Sequence, residues 1–473
     1  MNKPIIFTLL LAILFLMPTL GAKAQTNEPY VVLKDGTATF YYKDSKPDGA
    51  LPLPSLSAYA SREWPVTEVI TVVFDASFKE FKPTTCAFWF YNFVELTNIS
   101  GIKQNLNTEE CTDMSYMFCH CGNLVNLDVS GFNTSKVRNM NSMFDGCDKL
   151  TTIDVSKFNT CNVKNMADMF NKCYSLTFLD VSQFNTENVE DMNYMFSGCV
   201  VLSSLDVSNF NTAKVTNMRA MFIACEKLTT LVFSNANTQN VTDMGRMFYG
   251  CQSLSILDVS NFNTENVTTM EEMFFDCKKL TSVNVSNFNT KNVTNMEDMF
   301  CRCGGLTTLD LSNFSTENVT NMGHMFSGCK NIESIFVGDG WVTTSVNSTG
   351  SMFGNNPKLY GGKGTAYDDD KTDVTYARID GGESAPGYFT KSGEPAFTTP
   401  VSSTPDNKSN INVWSSNHTI FIESNPDTKY TIIDLNGRTI KSATTTSTKE
   451  EVNLNQSGVF VVVINGNAYK VSL

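Results

Sequence analysis

Two residue types recur in this chain at a spacing that bears on chemistry. Nine cysteines, Cys121, Cys147, Cys173, Cys199, Cys225, Cys251, Cys277, Cys303 and Cys329, stand 26 residues apart. Six aspartates, Asp128, Asp154, Asp180, Asp206, Asp258 and Asp310, fill another slot of the same period, interrupted by Val232 and Asn284. Thiols at a fixed spacing invite a disulfide or zinc reading, and a row of carboxylates invites Ca²⁺ or a basic partner. Equivalent residues in stacked coils lie about 5 Å apart, within disulfide range. Their side chains run parallel, however, and nine is odd, so the ladder reads as buried free thiols packed as small hydrophobes. Neighbouring aspartates at that spacing repel by somewhat under ~1 kcal/mol in water. The competing reading of the row has each carboxylate bonding the turn amides of its own coil.

Cys86, Cys111, Cys119, Cys161 and Cys301 lie off the ladder. Cys119-His120-Cys121 and Cys301-Arg302-Cys303 are C-x-C pairs that lack two further ligands as zinc sites. No metal or cofactor is expected. For catalysis the chain offers three histidines: His120 and His324 sit in repeat slots and His418 in the tail, none with a plausible Ser or Cys nucleophile in local context. It has no phosphate-cradling Gly loop and no H-E-x-x-H, so an enzyme is not expected. A net charge of −13 excludes a nucleic-acid backbone as partner. Sequons such as Asn240-Val-Thr, Asn266-Val-Thr and Asn292-Val-Thr arise from the repeat itself.

The elements that must position these rows follow from the period. Met-Phe recurs from Met117-Phe118 to Met325-Phe326 at intervals of 26, with a tenth copy, Met352-Phe353, slipped by one residue. Such a period marks a solenoid, each unit burying its apolar face against its neighbours. Met296, Met299, Phe300 and Cys303 lie at i, i+3, i+4 and i+7, the spacing of a short helix. Thr294 and Glu297 supply a capping-box pattern and Gly304-Gly305 a stop. Leu306-x-x-Leu309-x-Leu311 then alternates as a short half-buried strand. Nineteen of 21 methionines fall in two repeat slots, which reads as core filling by an adaptable side chain. The expected fold is α/β: a leucine-rich-repeat-like solenoid with one parallel strand and one short helix per 26-residue coil. A parallel β-helix is the runner-up. The Asp slot faces outward on the strand side, the concave face of a horseshoe.

The unit L-x-x-L-D-V-S-x-F-N-T-x-x-V-x-N-M-x-x-M-F-x-x-C, seen in residues 124–147, 202–225 and 306–329, resembles the bacterial surface-protein repeat of BspA-like leucine-rich-repeat proteins and Mycoplasma-type surface lipoproteins. Thr-Ala-Thr-Phe-Tyr-Tyr at 37–42 and Val-Val-Phe-Asp-Ala-Ser-Phe at 72–78 look like that family's lead-in, and the segments 377–382 and 386–389 like its closing segment. The resemblance implies a non-enzymatic cell-surface adhesin or interaction protein binding protein or glycan ligands on host or microbial surfaces. The alternative is a structural surface or biofilm protein that self-associates. The ends fit export. Lys3, the apolar run 5–17 and Ala22-Lys23-Ala24 form a signal peptide with cleavage after Ala24. No other run is long enough to span a bilayer.

The expected organisation is a signal peptide (1–24), an N-terminal capping segment (25–86), a solenoid of about 11 coils (87–360), a C-terminal cap (361–391), a Ser/Thr/Pro-rich linker (392–411) and an antiparallel β-sandwich (412–473). Asn436-Gly437 and Asn465-Gly466 are hairpin signals within the last segment. Tyr430-Thr-Ile-Ile-Asp-Leu-Asn-Gly-Arg438, Gly458-Val-Phe460 and Tyr469-Lys-Val-Ser-Leu473 resemble the type IX secretion sorting domain. That resemblance implies the type IX machinery as a partner and an extracellular or cell-surface destination.

Overall fold

A computed structural model of the chain describes residues 26–60, 64–233, 236–348, 350–397, 411–416, 419–434, 438–454, 459–464 and 467–472. The signal segment, His418, most of the linker and both Asn-Gly hairpin signals lie outside the described residues. The chain divides into two compact units, Met1–Thr398 and Thr399–Leu473.

The first unit starts with a hairpin, β1 (Glu28–Lys34) against β2 (Thr37–Lys43). Asp35 and Gly36 both take positive φ in its two-residue loop, as a type I′ turn requires. A short helix α1 (Leu56–Ala60) follows, and β3 (Thr71–Phe74) and β4 (Asn98–Ser100) extend the sheet in parallel. Phe40, Phe74, Phe78, Trp64, Trp89 and Phe93 form a buried aromatic cluster over the first coil. A second short helix, α2 (Ile102–Asn105), leads into the repeats.

The repeats stack in register. Thr85, Asp113, Asn139, Asn165 and their equivalents pair in parallel, one residue per coil, without a break as far as Ser348. On the strand side the pairing condenses into short parallel pieces: β5 (Ser204–Asp206) with β6 (Thr230–Val232), β7 (Ile256–Leu257) with β8 (Ser282–Val283), and β9 (Thr308–Leu311) with β10 (Ser334–Val337). β11 (Phe389–Lys391) adds to β10 and closes that sheet.

The expected helix in each coil is absent among the described residues; a series of turns stands in its place. In one coil, Met299, Cys301 and Cys303 donate to carbonyls three residues back, whereas Met296, Asp298, Phe300 and Arg302 donate to carbonyls of the next coil. An α-helix would need every one of these amides to reach i−4. Stacking takes alternate amides away, and the backbone turns left-handed to release them: Asp298 has φ 54° and Arg302 φ 61°. The first of these positions is non-glycine in nine successive coils, from Tyr116 to His324. A left-handed residue costs roughly 1–2 kcal/mol, offset by the inter-coil hydrogen bond it permits.

The core is a set of vertical columns. Both methionine slots are buried. Phe90 and the Met-Phe rings from Phe118 to Phe353 stack on one another, with centroids 5.3 to 6.1 Å apart. A second column runs Phe132, Phe158, Phe184, Phe210, then Ala236, then Phe262, Phe288 and Phe314. Ala236 would leave a void, but Phe233 stands where neighbouring coils carry Val207 and Val259, and its ring lies 5.7 Å from Phe262. Trp341 ends this column, its indole N–H donating to the Ala377 carbonyl. Asp380 ties the closing loops together. It is buried, which raises its carboxyl, yet the amides of Thr365, Gly382 and Lys363 hold it below the usual range.

The second unit has two antiparallel sheets. One joins β12 (Asn412–Ser416), β13 (Thr419–Glu423) and β16 (Lys449–Asn453); the other has the order β15 (Thr439–Thr444), β14 (Lys429–Asp434), β17 (Val459–Ile464), β18 (Asn467–Ser472). Ile420, Ile422, Tyr430, Ile432, Val452, Phe460, Val462, Ile464 and Val471 from both sheets share one apolar cluster. Alternate residues of these strands, such as Ile420 and Ile422 or Val462 and Ile464, therefore form an inward-facing row in each sheet.

Candidate interaction surface

The ladder cysteines are buried and unpaired as disulfides, and each has a specific partner. The Cys147 thiol donates to the Phe118 carbonyl at 3.3 Å, Cys251 to Phe222 at 3.2 Å and Cys329 to Phe300 at 3.0 Å, one coil earlier in each case. In the slipped tenth coil Asn356 takes the slot and donates its amide to the Phe326 carbonyl. Packing alone was expected of this slot; the structure adds a hydrogen bond, which explains why it holds a donor. Burial pushes the Cys225 and Cys277 thiols up to about 12, so they are protonated and inert at neutral pH.

A row not singled out in the sequence is as regular. Thr108, Thr134, Thr160 and their successors to Thr316 are buried. The Thr160 hydroxyl donates to the Asn185 carbonyl at 2.9 Å and accepts from the Asn185 amide at 2.8 Å. The invariant Thr of F-N-T within the repeat was the available signal. The sequon asparagines also face the stack: the Asn240, Asn266 and Asn292 side chains each donate at 2.7 Å to a carbonyl of the preceding coil.

The aspartate row lies exposed on the strand side. Each member accepts from the backbone amide two residues on: Ser130, Ser156, Ser182, Ser208, Ser260 and Ser312 serve Asp128, Asp154, Asp180, Asp206, Asp258 and Asp310 at 2.9 to 3.1 Å. The serine hydroxyl and then its amide hold Asp154, Asp180, Asp206 and Asp258 below the usual carboxylate range. At Asp128 the Ser130 hydroxyl does the same with help from Lys103, 3.3 Å away. These bonds shape the turn after each strand, and the six carboxylates remain exposed to solvent, Asp128 with Lys103 on its second oxygen.

Apolar side chains break this polar face at one place. Phe178 is 62% exposed and Ile256 72%, in outward slots that other coils fill with Ser204 and Thr230. Val232 replaces an aspartate and is half-buried to exposed. Between Phe178 and Val232 is an open depression of about 370 Å³, lined by residues 178–182, Ser204 to Asp206, Thr230 and Val232; Ile256 belongs to the following coil, outside its lining. Asp180 and Asp206 flank the depression. On the opposite, turn side, Tyr249 stacks on Phe275 at 4.6 Å with the Arg302 guanidinium over the Phe275 ring. Arg246 pairs with Glu272 at 2.6 Å, and Arg219 with Glu271 and Asp243. Charges there satisfy one another, whereas the strand-side patch presents its apolar surface to solvent.

Stacked parallel coils of 26 residues with buried Met, Phe, Thr and Cys rows define a repeat protein built for a long surface. The chain belongs to the family described as Mycoplasma protein of unknown function, DUF285, which it matches over residues 84–199, 178–256 and 252–362, together more than half its length. Among solved structures it is similar to a leucine-rich repeat protein from Eubacterium ventriosum, at 15% identity over 70% of this chain and 95% of that one, with a TM-score of 0.28. It is also similar to a chain of the TLR13–ssRNA13 complex, at 13% identity over 57% of this chain and 51% of that one, with a TM-score of 0.19. No curated protein matches the chain. Among the described residues no helix is long and apolar enough to cross a membrane.

Proposed function

We propose that this is a non-enzymatic, cell-surface interaction protein, an adhesin whose strand face binds a protein ligand. The reading rests chiefly on the exposed Phe178 and Val232 around a depression beside Asp180 and Asp206, with the exposed Ile256 one coil further on. Exposed aromatic and aliphatic groups on one face of neighbouring coils mark an interaction site, and flanking carboxylates select a ligand that carries basic side chains next to apolar ones. The test is capture of host-matrix and microbial-surface proteins on an array by the purified chain, compared with Phe178→Ser and Ile256→Thr. Both substitutions install residues that the same row holds in other coils. Each is expected to weaken capture by roughly tenfold or more, since a buried Phe or Ile contributes about 1.5–3 kcal/mol. Unchanged capture by both variants rules the patch out, and concentration-dependent light scattering that both variants abolish assigns it to self-association instead.

The second unit is proposed as a type IX sorting module, supported by its resemblance over residues 430–438, 458–460 and 469–473 and by its separate apolar core. Intact mass of the exported protein is expected to show a chain starting at Gln25 and lacking residues 412–473. A full-length exported chain with the tail intact argues against removal of the module.

A further inference from the structure

One pair of neighbouring coils carries a cluster found at no other described pair. Cys119, His120 and Asp145 each bring one ligand atom to within 4.8 Å of the others. Cys119 and Asp145 are buried, and His120 is half-buried at the surface. The Cys119 sulfur lies 3.7 Å from Asp145 Oδ2. Asp145 Oδ1 is buried and has no hydrogen-bond partner, an orphaned acceptor of the kind that folded proteins rarely tolerate without an ion or water. The sequence displayed only Cys119-His120-Cys121. Stacking replaces Cys121, which turns into the column and donates to the Phe90 carbonyl, with a carboxylate from the next coil.

The backbone is arranged for convergence. His120 takes a left-handed φ of 61°, and its amide donates to the Asp145 carbonyl at 2.6 Å, locking the two coils in register. Gly146 clears the space in front of the imidazole: a Cβ there would lie 2.5 Å from His120 Nδ1. In tetrahedral coordination a sulfur at about 2.3 Å and an oxygen at about 2.0 Å from zinc stand roughly 3.5 Å apart, close to the separation seen. Later coils place Asn171-Lys172, Ser197-Gly198 or Ile223-Ala224 at the Cys119-His120 positions, which offer no such set.

We propose that Cys119, His120 and Asp145 bind one divalent ion of the zinc class, one ligand each, across two adjacent coils. A thiolate, an imidazole and a carboxylate together favour zinc over the all-oxygen sets of Ca²⁺ or Mg²⁺. Three protein ligands leave one position, reached past the half-exposed His120, for water or for a donor atom from a partner. Coordination releases the thiol proton to solvent.

The test is titration of the purified full chain with cobalt(II) chloride under reducing conditions, read by absorption, followed by zinc chloride. One equivalent of cobalt is expected to bind with a thiolate charge-transfer band that one equivalent of zinc abolishes. Cys119→Ser, His120→Gly and Asp145→Ser each install a residue used at the same slot elsewhere in the repeat, at Ser197 and Gly198. Each is expected to lower metal affinity at least tenfold, and Cys119→Ser to remove the band, with the metal-free unfolding midpoint little changed. If one variant fails to fold, the other two decide. Absence of a stoichiometric band, or a band that persists in Cys119→Ser, overturns the assignment and places any bound ion elsewhere.

Discussion

Phe222→Ala is expected to destabilise the first unit by about 3–5 kcal/mol, the range for removing a large buried aromatic. The ring is fully buried and sits in mid-column, 5.7 Å from Phe196 and 5.7 Å from Phe248, with Phe233 edge-on at 6.1 Å. Its neighbours are fixed by inter-coil hydrogen bonds, so they cannot close over the gap. The Phe222 carbonyl also accepts from the Cys225 amide and the Cys251 thiol, at 3.2 Å in each case. In a stack whose stability is close to a sum of coil and interface contributions, the loss is local. Urea unfolding should therefore shift to lower denaturant, and Cys225 and Cys251 should label faster than the distant Cys147 in a native thiol-modification time course. The exposed Val201→Ala serves as reference, with an expected change within about 0.5 kcal/mol. A midpoint for Phe222→Ala equal to that reference would show that the column does not hold the stack together.

Thr160→Val, nearly the same shape, should cost about 2–4 kcal/mol, because it leaves both the Asn185 amide and the Asn185 carbonyl without their partner. Thr160→Ser keeps the hydroxyl and loses one methyl, about 0.8 kcal/mol. The ordering Thr, then Ser, then Val in thermal unfolding is the informative result. A valine variant as stable as the serine variant would mean that Thr160 contributes by packing alone.

Much of this architecture was legible because the repeat multiplies weak signals. One Met-Phe means little; nine in register and a tenth slipped by one identify the buried columns, and the Met and Phe positions named from spacing are ones the structure buries. The thiol ladder was readable by the same logic, and the aspartates do bond the turn amides of their own coils. The helix was not readable, because i, i+3, i+4, i+7 spacing is shared by a helix and by successive three-residue turns. What separates them is whether the amides between, such as those of Asp298 and Phe300, find partners in the next coil, which is a property of the stack. No glycine announced the first left-handed position of each coil, where Ser142, Tyr194 and Ala220 stand; at the second, Gly146, Gly198, Gly250 and Gly328 were a signal left unread. Asp145 escaped attention as a neighbour of Cys119 for the same reason: the two meet only across a coil boundary. The apolar patch was half visible, in that Val232 stood out as an interruption, while Phe178 and Ile256 took their meaning from exposure.

The unbroken one-per-coil pairing from Thr85 to Ser348 makes the chain a ruler. Each graduation is one coil, about 4.8 Å along the axis, and coils with the same columns are interchangeable at their seams. A gene that gains or loses 78 nucleotides in frame, about one 26-residue unit, lengthens or shortens the face by one graduation and leaves both capped ends as they were. Against that uniform scale, the coil of Val232, Phe233 and Ala236 is a mark. Its compensating exchange of large and small side chains lets one position along the ruler differ in surface without disturbing the columns behind it.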